Sequence, residues 1–148
     1  MKKLLAITAA VAVIAMSGTA IAATANLVVS ATVANACSVT GGTLAFGALD
    51  TLAAPLVSGT SAGVTVTCTK GDPYTVAAGL GLNFVGAQAN LKNGANADKI
   101  PYSLTVPAVT AGTGAAQTIA ITGSITAGTY NTASAGSYGD TVVITVTP

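Results

Sequence analysis

The chain has 148 residues, five Lys or Arg against four Asp or Glu, 51% hydrophobic residues, and neither histidine nor tryptophan. With no arginine and no glutamate it lacks the basic footprint on which nucleic-acid binding rests. It equally lacks the positioned bases that acid–base or nucleophilic catalysis requires. Nucleic acid is set aside as a partner, and the protein is not expected to be an enzyme.

The first residues have the three parts of an export signal. Lys2 and Lys3 precede an apolar run over residues 4–16, and small residues follow, ending Ala20-Ile21-Ala22. Cleavage after Ala22 is expected, because a spanning helix needs about 20 apolar residues and this run breaks earlier at Ser17-Gly18-Thr19. Removal of residues 1–22 leaves 126 residues (148 less 22), three lysines and four aspartates. That length suits one domain with its own core. The remaining Val, Ile and Thr are stiff at χ1 and pack well on pleated surfaces, so the composition reads as all-β with glycine-rich connections.

Residues 26–33, Asn-Leu-Val-Val-Ser-Ala-Thr-Val, alternate as a strand does and place Leu27, Val29, Ala31 and Val33 on one face. On the residues alone this is either the first strand of the chain's own sandwich or a strand that completes a neighbour's sheet. Ala34-Asn35-Ala36 links it to Cys37. A strand is expected through Leu44 and Phe46, followed by a loop containing Pro55 and Gly59. Residues 63–69 give a clean alternation in which Val64, Val66 and Cys68 point inward.

Two cysteines, Cys37 and Cys68, in an exported chain fit one disulfide. Without histidine or a CxxC spacing they do not make a metal site. A bridge between them closes a loop of roughly 32 residues, worth about 3–4 kcal/mol by the chain-entropy argument. Gly71-Asp72-Pro73 is turn chemistry, a strand starts at Tyr74, and residues 91–98 read as a polar turn region. Residues 100–106 form a strand that Pro101 assigns to a sheet edge. Further strands cover 117–122, with Ile119 and Ile121 on one face, and 140–147, with Val142, Ile144 and Val146 on one face. About six strands after Cys37 suit an immunoglobulin-like sandwich that wants about seven. The chain ends as the last strand is complete, so the outer neighbour of that strand is expected from elsewhere.

Other features have structural explanations. The four aspartates sit in turns and strand edges. Gly112-Thr-Gly114 lacks the third glycine and the strand-then-helix context of a dinucleotide loop. Tyr138 stands where a tyrosine ties a corner in many sandwiches. Tyr74, Tyr102 and Tyr130 are too scattered to form a sugar-stacking platform. No cofactor and no metal is expected.

The strand ending four residues before Cys37, Leu44-Ala-Phe-Gly47, Val64-Thr-Val-Thr-Cys-Thr-Lys-Gly71, Leu91-Lys-Asn93 with Ile100-Pro-Tyr102, and Gly136-Ser-Tyr-Gly-Asp-Thr-Val142 together resemble the spore coat protein U domain family. Within that family the chain is similar to the major subunits of archaic, Csu-type chaperone–usher pili. The resemblance implies an incomplete immunoglobulin-like β-sandwich completed by donor-strand exchange, and a disulfide between Cys37 and Cys68. It also implies a periplasmic chaperone, an outer-membrane usher, and a homopolymer that forms an extracellular pilus supporting adhesion and biofilm formation, with a tip adhesin as a further partner. The expected organisation is a signal peptide at 1–22, a donor strand and linker at 23–36, and the pilin domain at 37–148. The donor face is Leu27, Val29, Ala31 and Val33, and the acceptor groove is Leu44, Phe46, Val142, Ile144 and Val146. With no extra receptor domain before residue 37, a stalk subunit is expected rather than a tip adhesin. The shorter, less charged loops and the absence of arginine near Leu91 depart from the family. The alternative is a self-complemented monomeric surface or spore-coat protein that binds glycans or matrix.

Overall fold

The computed structural model describes residues 21–109 and 111–148, so most of the expected signal segment lies outside the described residues. Two compact units separate at residue 32. In the first, residues 21–32 carry no strand, and the side chains of Leu27, Val28 and Val29 are exposed. The expected strand is therefore absent here. Alternation supplies only a propensity, and a strand is completed by a ladder partner.

The second unit, Val33–Pro148, is all-β, with no helix among the described residues. Ten short strands replace the six expected: β1 Cys37–Thr40, β2 Val57–Thr60, β3 Thr65–Cys68, β4 Thr75–Ala78, β5 Ala89–Asn93, β6 Lys99–Thr105, β7 Gln117–Thr118, β8 Thr122–Ile125, β9 Tyr138–Gly139 and β10 Ile144–Thr147. They pair antiparallel in three sheets, ordered β1-β3-β7, β10-β4 and β2-β8-β6-β5-β9. One apolar cluster gathers Ile100, Tyr102, Ile125 and Tyr130, and the other Val64, Val66, Cys68, Tyr74, Ile119 and Ile121. Leu104 packs against both.

The higher strand count has local causes. The run over 117–122 is divided because β7 pairs with β3 while β8 pairs with β2 and β6, so residues 119–121 cross between sheets. Ser61 secures the crossing: its Oγ accepts the Ile121 N–H (2.9 Å) and donates to the Ile119 carbonyl (3.2 Å). Ile119 and Ile121 remain buried on one face as expected. Residues 57–60 are a strand rather than part of a loop, and residues 91–93, expected at the start of a turn region, belong to β5. The expected strand through Leu44 and Phe46 is instead a segment without a ladder, preceded by the isolated Thr43↔Ala62 bridge.

Pro101 was expected at an edge, yet β6 is central, between β8 and β5. The physical basis of the expectation survives locally. β8 pairs only with Ser103, Leu104 and Thr105, so Pro101 lies beyond its end and no ladder bond from that side needs the missing N–H.

Cys37 and Cys68 are opposite one another in the β1–β3 register and form a disulfide, with Cα atoms 4.1 Å apart. Cys68 points inward with Val64 and Val66, as the alternation indicated. Tyr138 donates its hydroxyl to the Ser134 carbonyl four residues upstream (2.9 Å), the expected corner tie.

Candidate functional site: a groove between two unpaired edges

β1 and β10 are edge strands of separate sheets that come close without pairing. Beyond this approach lies an open cavity of about 400 Å³. One wall is built by Val39, residues 41–44 and Phe46, the other by Asp140, Val142 and Ile144, and the floor includes Val64, Tyr102, Leu104 and Ile121. Leu44, Phe46, Val142 and Ile144 therefore meet in one place. Val146 faces the same way along β10 but packs into the core cluster around Val66 and does not line the cavity.

The first wall rests on glycine. Gly59 of β2 and Gly123 of β8 are register partners. A Cβ on Gly59 would stand 2.7 Å from the Ala45 carbonyl oxygen, and one on Gly123 would stand 2.9 Å from the Phe46 ring and 3.1 Å from Leu44. Only residues without side chains let segment 44–46 lie this close to the sheet. Phe46 also packs against Tyr102, with ring centroids 6.0 Å apart at a tilt of 58°.

The opposite wall is held from its far side. The Gly79 N–H donates to the Val143 carbonyl (2.9 Å) and the Leu82 N–H to the Thr141 carbonyl (3.1 Å). Successive backbone groups of an extended chain point to opposite edges, so those of Val142 point towards the groove. Among the described residues Val142 makes no backbone hydrogen bond, and neither do Leu44, Ala45 or Phe46. The groove is thus apolar below and flanked by backbone donors and acceptors without protein partners.

One end of the groove is polar. Tyr102 donates its hydroxyl to Asp140 Oδ2 (2.8 Å), while Asp140 Oδ1 accepts N–H groups from Leu82 (2.9 Å), Asn83 (3.1 Å) and Thr141 (2.9 Å) and the Asn83 amide (3.0 Å). Gly81, at φ 85°, lies against this carboxylate, where a Cβ would collide with it. Burial first, and then the hydrogen bond and charge of Asp140, push the Tyr102 phenol well above its ordinary range. Asp140 was expected only as a strand-edge residue at the start of the last strand. Its role as the hub that locks loop 79–83 to the groove wall was not legible from spacing.

Several separate sequence motifs converge around this wall. Ile100-Pro-Tyr102 meets Asp140, and Asn93 is register partner of Tyr138 and lies against Gly136, which leaves room for its amide. The donor residues divide between the two units, with Leu27, Val29 and Ala31 in the first and Val33 in the second. All four are exposed, Leu27, Val29 and Val33 by 87%, 81% and 80%.

The architecture defines a disulfide-pinned, all-β domain with an open groove between two sheet edges. The family model of the Spore Coat Protein U domain matches residues 23–145, and the chain belongs to that family. Accordingly it is a structural, non-enzymatic protein. No curated protein matches it. Among solved structures it is similar to a chain of the CsuC-CsuE chaperone–tip adhesion subunit pre-assembly complex from the archaic chaperone-usher Csu pili of Acinetobacter baumannii. The identity is 23% and the TM-score 0.51, over 78% of this chain and 40% of that one. The fold is thus shared with that chain, and this chain spans 40% of its length.

Proposed function

We propose that the protein is a subunit of an extracellular chaperone–usher pilus, polymerising when residues 26–33 of one copy enter the groove of the next. The observation that carries this reading is the pair of facing edges, residues 44–46 and Val142, without backbone partners above an apolar floor. An added strand supplies partners to both edges and side chains to the floor, which is strand addition carried into a core. Leu27, Val29, Ala31 and Val33 enter, and Leu44, Phe46, Val142 and Ile144 receive them. Val146 supports the wall from the core side. Burying each of the larger donor side chains contributes about 1.5–3 kcal/mol.

The same exposed edges call for a protecting partner before assembly. A periplasmic chaperone that lends a strand and an outer-membrane usher fit that need, as does a route through the periplasm to the cell surface, where the fibre supports adhesion and biofilm formation. Residues 1–22 are the export signal, 23–36 the donor strand and linker, and 37–148 the pilin domain.

Deletion of residues 23–33 tests the proposal. The shortened subunit should be exported and held by a chaperone yet yield no heat-labile ladder of oligomers in cell-surface extracts. Fibres assembled from the deleted subunit would overturn it. A wild-type protein that stays monomeric in those extracts would favour the self-complemented surface protein instead.

A further inference from the structure

The groove raises a question of direction: a donor segment attached to the same domain has its own groove as a competitor for that of a neighbour. The three residues between Val33 and Cys37 bear on which is filled. The Thr69 N–H donates to the Ala36 carbonyl (2.9 Å), and Thr69 Oγ1 accepts the Ala36 N–H (3.1 Å). The Thr69 hydroxyl hydrogen is directed to the Ala34 or the Ala36 carbonyl, each 3.3 Å away. Immediately beside this contact, the Cys37–Cys68 disulfide fixes the strand pair.

Ala34 and Ala36 therefore continue the line of β1 past Cys37 alongside Thr69. The groove lies the other way along the chain, beside Val39, residues 41–44 and Phe46. Entry of the chain's own segment next to β1 requires a reversal within Ala34-Asn35-Ala36. Tight reversals between antiparallel strands favour residues with positive φ, such as Asn-Gly or Gly-Gly. Only Asn35 is suited to that, and the reversal removes the Thr69 hydroxyl contacts.

We propose that Thr69 is a positioning residue that holds the linker in line with β1 and so directs the donor segment to a second copy of this chain rather than to its own groove. This rests on the pilus-subunit proposal above. It adds that the choice between polymer and closed monomer is set at the linker, 30 residues or more away in sequence from the hydroxyl that controls it.

The test compares the full chain, assembled in cells and then extracted, with Thr69→Ser, with Thr69→Val, and with Thr69→Val combined with Asn35→Gly. Serine keeps the hydroxyl and should behave as wild type. The double variant should raise the monomer share roughly five-fold, about what loss of one hydrogen bond allows. Its monomers should show hydrogen-exchange protection over residues 26–33. An unchanged monomer share in a double variant that keeps its disulfide and melting temperature overturns the proposal, as do monomers whose residues 26–33 exchange freely. Should the valine variants fold poorly, exchange of the Ala36 amide in wild type decides: protection supports the clamp, and random-coil exchange removes it. Failure of the underlying reading is distinguishable, because it appears as fibres formed by the protein lacking residues 23–33.

Discussion

The glycine floor beneath residues 44–46 gives a quantitative test of how the groove wall is held. In Gly59→Ala the new methyl meets the Ala45 carbonyl oxygen at 2.7 Å and Leu44 Cδ2 at 3.3 Å. A backbone carbonyl retreats only if the whole segment lifts. In Gly123→Ala the nearest atoms are side-chain ends, Phe46 Cζ at 2.9 Å and Leu44 Cδ1 and Cδ2 at 3.1 Å, which can turn aside. Overpacking costs about 1–3 kcal/mol, whereas Gly→Ala at a position without positive φ regains about 0.4–1 kcal/mol from the unfolded chain. Neither glycine has a positive φ. Gly59→Ala should therefore lose about 1–2 kcal/mol and Gly123→Ala less than about 1 kcal/mol. For a domain of this size, that separates their melting temperatures by about 3–6 °C. Thermal melts followed by circular dichroism on disulfide-intact subunit measure the difference, and the oligomer ladder should weaken more in Gly59→Ala. Equal melting points for Gly59→Ala and wild type, or a greater loss in Gly123→Ala, would refute the idea that these glycines seat the wall.

Three further outcomes follow from the same geometry. Replacing both cysteines with alanine should cost about 3–4 kcal/mol, the loop-closure value for the 31-residue separation, read by urea unfolding with and without reductant; a loss below about 1 kcal/mol would contradict it. Tyr138→Phe removes the tie to the Ser134 carbonyl and should lower stability by about 0.5–1.5 kcal/mol, with an unchanged denaturant slope. The Tyr102 phenol is held in its neutral form by burial and by Asp140, so the folded state binds this proton more tightly than the unfolded chain does. Its contribution to stability is complete below pH about 10 and declines above it as the unfolded phenol ionises. Alkaline absorbance titration should show the Tyr102 phenol, identified by its loss in Tyr102→Phe, ionising late, and Asp140→Asn should move it part of the way back, since burial remains.

Much of the core was legible because alternation reports faces. Val64, Val66 and Cys68 point inward, Ile119 and Ile121 are buried together, and Val142 and Ile144 share the groove side. Edges were harder. β2 is Val57-Ser58-Gly59-Thr60, and its glycine, read as a loop signal, is there because the chain crosses it closely. β5, Ala89–Asn93, is only five residues long, and its Lys92 and Asn93 gave it the polar character of a turn. Pro101 indicated an edge correctly for the first four residues of β6, which lie beyond the end of β8, and wrongly for the sheet. The Tyr102–Asp140 contact joins positions 38 apart with no periodic relation, so only the fold brings them together.

The same limit explains why the candidate site was half visible. A hydrophobic pattern locates the side chains of a groove, but a missing strand is a deficit of backbone partners, and every non-proline residue carries the same backbone groups whatever its side chain. The structure supplies that missing count. Among the described residues, residues 44–46 and Val142 make no backbone bonds, while the carbonyls of Thr141 and Val143 are satisfied from behind by Leu82 and Gly79. Residues 26–32 have the opposite deficit: strand-forming alternation, exposed Leu27 and Val29, and no strand. An exposed apolar strand former and an open edge are each an aggregation liability alone. The proposed pairing of one with the other between copies would remove both liabilities at once, and the proposed Thr69 hold on Ala34 and Ala36 would favour that pairing.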